Sequence, residues 1–288
     1  MTYLQLMLIY LYRVILTLLL LLTLCTCGPA TAIESQQTTL PNDLIEVQRP
    51  KAQHIVQASI NAAALIELDS AAFEFTFRDK TYRYQKAGGR FVYERYWRDT
   101  TDGRFIRDVL HNDEFVRYID GERMQLTTKQ YDGYSSSVNS VIYFAFLPYA
   151  LLDPAAQLTY LGTEPIKGAT FDKIGVGFEA AGGGKDYEDS FLYWFEPETH
   201  RLRYLAYVEA GNKAPRFREA FNERVEAGIT VRDYRNYHTV DNAAAEIGSL
   251  VAAFNGGQLP LLSTIAVKNV RRVPVATDRL LPGTGLPE

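Results

Sequence analysis

The feature that most constrains this chain is a rhythm of short alternating runs cut by turn signals. AFEFTFRD at 72–79 sets Phe73, Phe75 and Phe77 on one side and Glu74, Thr76 and Arg78 on the other, the period of two that a half-buried strand needs. Similar runs follow at 81–86, 90–98, 104–110, 114–120 and 122–127, separated by AGG, TTDG, HND and DG. A second series occupies 157–162, 169–180, 189–195, 201–209, 216–226 and 229–237, with turns at PIKG, GGGKD, PETH, NKAP and EAG. Gly, Asn, Asp and Pro at these points supply the backbone angles of hairpins, so the runs predict an antiparallel meander. The 19 Tyr and 15 Phe against 3 Met agree, because flat side chains suit a pleated surface. The fold class expected is α+β and β-dominated, with one large curved antiparallel sheet.

Three stretches depart from this rhythm. Lys51 to Leu65 places Ile55, Ala58, Ser59, Ala62 and Leu65 on one face, which predicts an amphipathic helix. Between 128 and 156, QYDGYSSS precedes VIYFAFLPYALLDPAAQ. The first string reads as a polar loop holding Ser135, Ser136 and Ser137, and the second as short helices joined at Pro148 and Pro154. From Asn242 to Phe254 the residues Ile247, Leu250, Val251 and Phe254 share a helical face, and 259–288 read as a Pro-containing tail without firm order.

The N-terminus has the order of an export signal. Arg13 is the only charge from Met1 to Thr26, and Val14 to Leu24 is apolar. The string LTLCTCGP that follows resembles a lipobox, which implies cleavage before Cys27 and a diacylglycerol on its thiol. An ordinary secretory signal and an uncleaved anchor are the alternatives. Expected boundaries are 1–26 for the signal peptide, 27–42 for a tether, 43–256 for a single domain and 257–288 for the tail. Cys25 and Cys27 are the only cysteines. The domain therefore has neither a disulfide framework nor a thiolate metal site. A net charge of -4 is the wrong sign for gripping phosphate backbones, so no nucleic-acid partner is expected.

YLGTEPIKG (160–168), GGGKDYEDSFLYWF (182–195) and RFREAFNERVEAGITVRDYRNY (216–237), with FRDKTYRY and DGRF, carry a resemblance over residues 50–240. In these strings the chain resembles an uncharacterised family of bacterial envelope lipoproteins related to the Lol-type periplasmic lipoprotein carriers. The resemblance implies an incomplete β-barrel with helices covering its concave side, and an address in the cell envelope at the outer membrane, facing the periplasm. It implies no reaction.

A direct search for chemistry is mostly negative. His54, His111, His200 and His238 are scattered without metal-ligand spacing, and neither HExxH nor GxSxG occurs. Gly182, Gly183, Gly184 and Lys185 lack phosphate-loop spacing and read as a hairpin turn, and Asp186, Glu188 and Asp189 as a solvated acidic turn in place of a Ca²⁺ site. His111 with Asp108 and Asp113 is a candidate acid–base group for which a hairpin tip is the simpler account. No catalytic residue, metal or cofactor is assigned.

What remains is the aromatic wealth. Phe73, Phe75, Phe77, Phe91, Tyr93, Trp97, Phe144 and Phe146 are the expected lining of an apolar cavity under a helical cover at 141–152, roughly 300–1,000 Å³ if it takes a ligand. The function expected is non-catalytic: a protein attached to the membrane through its N-terminal lipid, holding a lipid, an acyl chain, a lipidated ligand or another apolar ligand. The alternatives are a structural or interaction lipoprotein with a filled core, and a hydrolase with an unrecognised site.

Overall fold

The computed structural model describes residues 42–112, 114–179, 189–209 and 214–276. Cys27, Asp113, the glycine run at 182–184, Lys185, Asp186 and Glu188 lie outside the described residues.

Fourteen strands among the described residues form two seven-stranded antiparallel sheets. In the first sheet β1 (Ala72–Phe77), β2 (Lys80–Ala87), β3 (Arg90–Arg98), β4 (Phe105–His111), β5 (Phe115–Ile119) and β6 (Glu122–Arg123) follow one another as a meander, and β14 (Val267–Val273) pairs on the far side of β1. The second repeats the plan with β7 (Ala156–Ile166), β8 (Ala169–Phe178), β9 (Ser190–Phe195), β10 (Leu202–Val208), β11 (Arg216–Glu226) and β12 (Ile229–His238), closed by β13 (Leu261–Ile265) beside β12. Short turns make this possible. At the EAG turn Ala227 (φ 53°) and Gly228 (φ 88°) are both left-handed while Glu226 pairs with Ile229, which is what a two-residue hairpin matched to strand twist requires.

The expected curved sheet is thus built in two halves, and the seam is the C-terminal chain. Only Ala266 separates β13 from β14, so one stretch of backbone borders both sheets. Val267 N–H donates to Asp233 Oδ1 at 3.3 Å, Val270 N–H donates to Glu226 Oε2 at 3.1 Å, and Arg224 donates to the Val267 carbonyl. The expectation of a tail from residue 257 is corrected here, since Leu261–Ile265 and Val267–Val273 are strands. The open edges of β1 and β12 offer unpaired N–H and C=O groups, and these recruit a segment whose own alternation is weak.

Helix α1 (Asn42–Ala62) starts before the expected Lys51 and runs through Pro50. A proline removes one helical hydrogen bond, and Leu, Glu, Gln and Arg before it favour the helix. Its buried Ala52, Ile55, Val56 and Ile60 follow helical spacing and join the main core, with β7 packed against the helix.

Helix α2 (Thr128–Ala145) replaces the polar loop expected around Ser135, Ser136 and Ser137. The reason is local. Thr127 and Gln130 form a capping box, each side chain accepting from the other's backbone N–H. Serines within the helix return their hydroxyls to it, Ser135 to the Asp132 carbonyl at 3.1 Å and Ser140 to that of Ser136 at 2.8 Å. Beyond α2, Phe146, Leu147, Tyr149 and Leu151 are buried in the main core, the last two in a 3-10 turn, Tyr149–Leu152. Most of the expected cover at 141–152 is therefore core.

Helix α3 (Leu250–Asn255) is shorter than the expected Asn242–Phe254 and is preceded by two 3-10 turns, Val240–Asn242 and Ile247–Ser249. Its Leu250, Val251 and Phe254 pack on Trp194, Tyr204 and Phe217. These alternate along their strands with Tyr193, Phe195 and Leu205 of the main core, so α3 lies on the opposite face from α1 and α2. Covered on both faces, β9 is apolar almost throughout, as its sequence SFLYWF shows.

Candidate functional site

The concave face of the first sheet divides the eight predicted lining residues. Phe73 and Phe75 on β1 and Phe146 after α2 are fully enclosed. The Phe146 ring lies 6.2 Å from Phe73, 5.5 Å from Phe75 and 5.1 Å from Tyr84. Phe77 is half-buried against this cluster, and the Phe91 and Tyr93 rings stack at 4.4 Å. Trp97 stands apart among cations, with Lys80 at 4.9 Å, Arg95 at 5.4 Å and Arg117 at 5.5 Å from its ring.

The two arginines belong to a buried ionic cluster that strand register explains, while Lys80 pairs with exposed Asp79. Arg95, Asp108 and Arg117 stand opposite one another on β3, β4 and β5. Asp108 is fully buried and accepts from Arg95 Nε at 2.9 Å and Nη2 at 2.5 Å, and from Arg117 Nε at 2.6 Å and Nη2 at 2.9 Å. Arg95 Nη1 donates to Ser137 of α2 at 2.8 Å, and Arg117 stacks 3.5 Å from the Tyr134 ring. The cluster pins α2 to the first sheet. His111 falls at the opposite strand parity from Asp108, so the two side chains point to different faces and form no acid–base pair.

Phe144 leaves the first sheet altogether. It lies with a group of rings at one end of the second sheet, where β8 ends, β9 begins and β10 ends: Phe178, Phe191 and Tyr207. Phe144 is 5.2 Å from Tyr207, Tyr143 is 5.9 Å from Phe191, and Phe178 is 5.8 Å from Phe191. Tyr143, Phe144, Phe178 and Tyr207 are half-buried and rest on the main core. They make an aromatic mouth between the last turn of α2 and the second sheet. Inside it the Tyr143 and Tyr193 hydroxyls meet at 2.6 Å. Burial holds both phenols above the ordinary tyrosine range, so at neutral pH they stay uncharged.

Arg218 of β11 reaches into this mouth, its guanidinium 3.9 Å from the Phe144 ring and 5.0 Å from that of Tyr207. Neither this arginine nor Tyr143, Phe178, Phe191 and Tyr207 was singled out by sequence analysis. The usable signal was parity in RFREAF: Phe217 faces α3, which sends Arg218 inward with Ala220.

On the outer face of the first sheet lies a shallow groove of about 220 Å³ lined by Glu74, Arg83, Glu94, Tyr96, Phe105 and Arg107. Its charges largely satisfy one another, Arg107 Nη2 donating to Glu94 at 2.9 Å and Arg271 donating to Glu74. Burial, with Glu74 alongside, pushes the Tyr96 phenol up to about 12. It is a polar groove, unlike the apolar cavity expected. Two of the scattered histidines do meet, His54 and His200 having ring centroids 6.3 Å apart. Among the described residues no three of His, Cys, Asp and Glu gather as metal ligands, and no helix is long and apolar enough to cross a membrane.

Residues 66–266 match the model of a family of unknown function, DUF6503. That bears out the expected uncharacterised family. No curated protein matches the chain. Among solved structures the chain is similar to a LolA superfamily protein from Nitrosomonas europaea, at 11% identity and a TM-score of 0.46, over 80% of this chain and 97% of that one. A DUF1329 family protein from Desulfovibrio piger matches at 10% identity and a TM-score of 0.43, over 80% and 97%. The Mycobacterium tuberculosis lipoprotein LppX matches at 14% identity and a TM-score of 0.25, over 56% and 89%. Likenesses this distant transfer no function to the chain.

Proposed function

We propose that this chain, which belongs to the DUF6503 family, is a non-catalytic envelope protein that holds the apolar chain of a lipid or lipidated ligand at the aromatic mouth between α2 and the second sheet. The observation that carries this reading is the ring of half-buried Tyr143, Phe144, Phe178 and Tyr207 around Phe191. Apolar rings left partly uncovered at the end of a sheet are a surface that gains from an apolar occupant. Buried Phe191 and Tyr193 are then the floor beneath the ligand and Phe144 is its wall, while Phe73, Phe75 and Phe146 stay in the packed core against the first sheet. The fully packed floor favours one rival, a structural lipoprotein with a filled core, and ligand binding separates the two.

A fluorescent polyene fatty acid should therefore bind the purified protein, and Phe144→Ala should weaken that binding at least several-fold while costing less stability than the roughly 3–5 kcal/mol of a fully enclosed Phe. An intact protein that leaves the probe dark would favour the filled-core reading.

The leader supports the address. We propose lipidation at Cys27, a domain that begins with α1 and runs through β14, and a position at the outer membrane facing the periplasm. Cys27→Ser should move the protein from the membrane to the soluble fraction, read by fractionation and intact mass. A variant that stays membrane-bound with its leader uncut would refute the lipid anchor.

A further inference from the structure

Resting on the reading of the mouth as an acyl-chain site, we infer that the ligand is an amphiphile with an anionic head, and that Arg218 receives that head.

The argument begins with how buried arginines are satisfied elsewhere in this protein. Arg95 is fully engaged by Asp108, and Arg232, 3% exposed in its side chain, has Glu223 at 3.3 Å and donates to the Leu147 carbonyl at 2.7 Å. Arg218 is 6% exposed, and among the described residues no carboxylate stands within ion-pair distance of it. Its Nη2 donates to the Tyr207 hydroxyl at 2.9 Å and its Nε to Asn236 Oδ1 at 3.4 Å, both neutral acceptors, and its Nη1 is buried with no hydrogen-bond partner.

A guanidinium withdrawn from water without a counter-charge is costly, and the rings of Phe144 and Tyr207 offset that only in part. An oxyanion approaching Nη1 would supply both the missing acceptor and the missing charge. The surroundings specify what the oxyanion is attached to. The rings of Phe144 and Tyr207 flank the cation and Phe191 stacks on Tyr207, so a free anion brings no group that suits the walls. An acyl chain does. The class is thus a carboxylate, or the phosphate of a lipid, joined to an apolar chain.

Three probes separate the sources of affinity on the purified full-length chain: cis-parinaric acid, its methyl ester, and inorganic phosphate as a competitor. The acid should bind about tenfold or more tighter than the ester, a typical gain for a charge-assisted contact, and millimolar phosphate should not displace it. Arg218→Met should abolish the preference, bringing acid binding down to the level of the ester in the same variant, and Arg218→Lys should keep part of it. Equal binding of acid and ester by the native protein would overturn the inference while leaving the acyl-chain reading intact. Equal loss of both in a folded Arg218→Met would also overturn it. Displacement by phosphate alone would show a plain anion site and reject the amphiphile. Failure of both acid and ester to bind would refute the reading on which the inference rests. Should Arg218→Met not fold, the native acid-to-ester ratio and Arg218→Lys still decide.

Discussion

Replacing Asp108 with Ala is expected to destabilise the domain by about 3–5 kcal/mol, among the largest losses from a single side chain here. Asp108 is fully buried and is the shared acceptor of two arginines that are themselves nearly enclosed. Truncating it strands two guanidinium groups against each other under α2, with four donated hydrogen bonds lost at once. The charge matters more than the shape, so Asp108→Asn should also be strongly destabilising. Replacing Arg95, Asp108 and Arg117 together with apolar residues of similar volume should recover much of the loss, because no charge is then left unpaired. Urea unfolding followed by tryptophan fluorescence reads all three variants. A loss below about 1 kcal/mol for Asp108→Ala would mean that water reaches the arginines, and that the cluster does not hold α2 to the sheet.

Phe146→Ala should cost a similar amount, about 3–5 kcal/mol, for a different reason. The ring is in contact with Phe73, Phe75 and Tyr84. Those partners belong to β1 and β2, whose hydrogen-bonded backbones resist collapse into the space left behind. The cavity therefore persists and adds to the lost transfer energy. The sequence alone places Phe144 and Phe146 together in one helical cover. They differ in the fold: Phe146 is enclosed on the first sheet, and Phe144 is half-buried on the second. The decisive measurement is the pair. Phe146→Ala should lower the unfolding midpoint sharply, and Phe144→Ala should chiefly weaken probe binding. Equal and small losses of stability for both would instead make 141–152 the helical cover of an unfilled cavity.

What the amino-acid sequence determined by itself was the local grammar. Each of the twelve period-two runs contains a strand, from Ala72–Phe77 to Ile229–His238, because alternation and left-handed turn positions act within a few residues. The run at 122–127 keeps only Glu122 and Arg123, and β7 extends past 162 to Ile166. The capping box of Thr127 and Gln130 was equally local, and overlooking it put a loop where α2 stands. Only the tertiary structure decided the rest. Leu261–Ile265 and Val267–Val273 became strands because two distant sheet edges needed partners. Phe144 and Phe146, two residues apart, parted to different sheets because a helix end turns successive side chains through large angles before packing fixes them. Asp108 was drawn from a supposed hairpin-tip group into an ionic core by register across β3, β4 and β5. The isolation of Arg218 was the least legible of all. Whether a buried charge has a partner depends on side chains from β10, β12 and α2, and no pattern along β11 specifies which of them will arrive without a carboxylate.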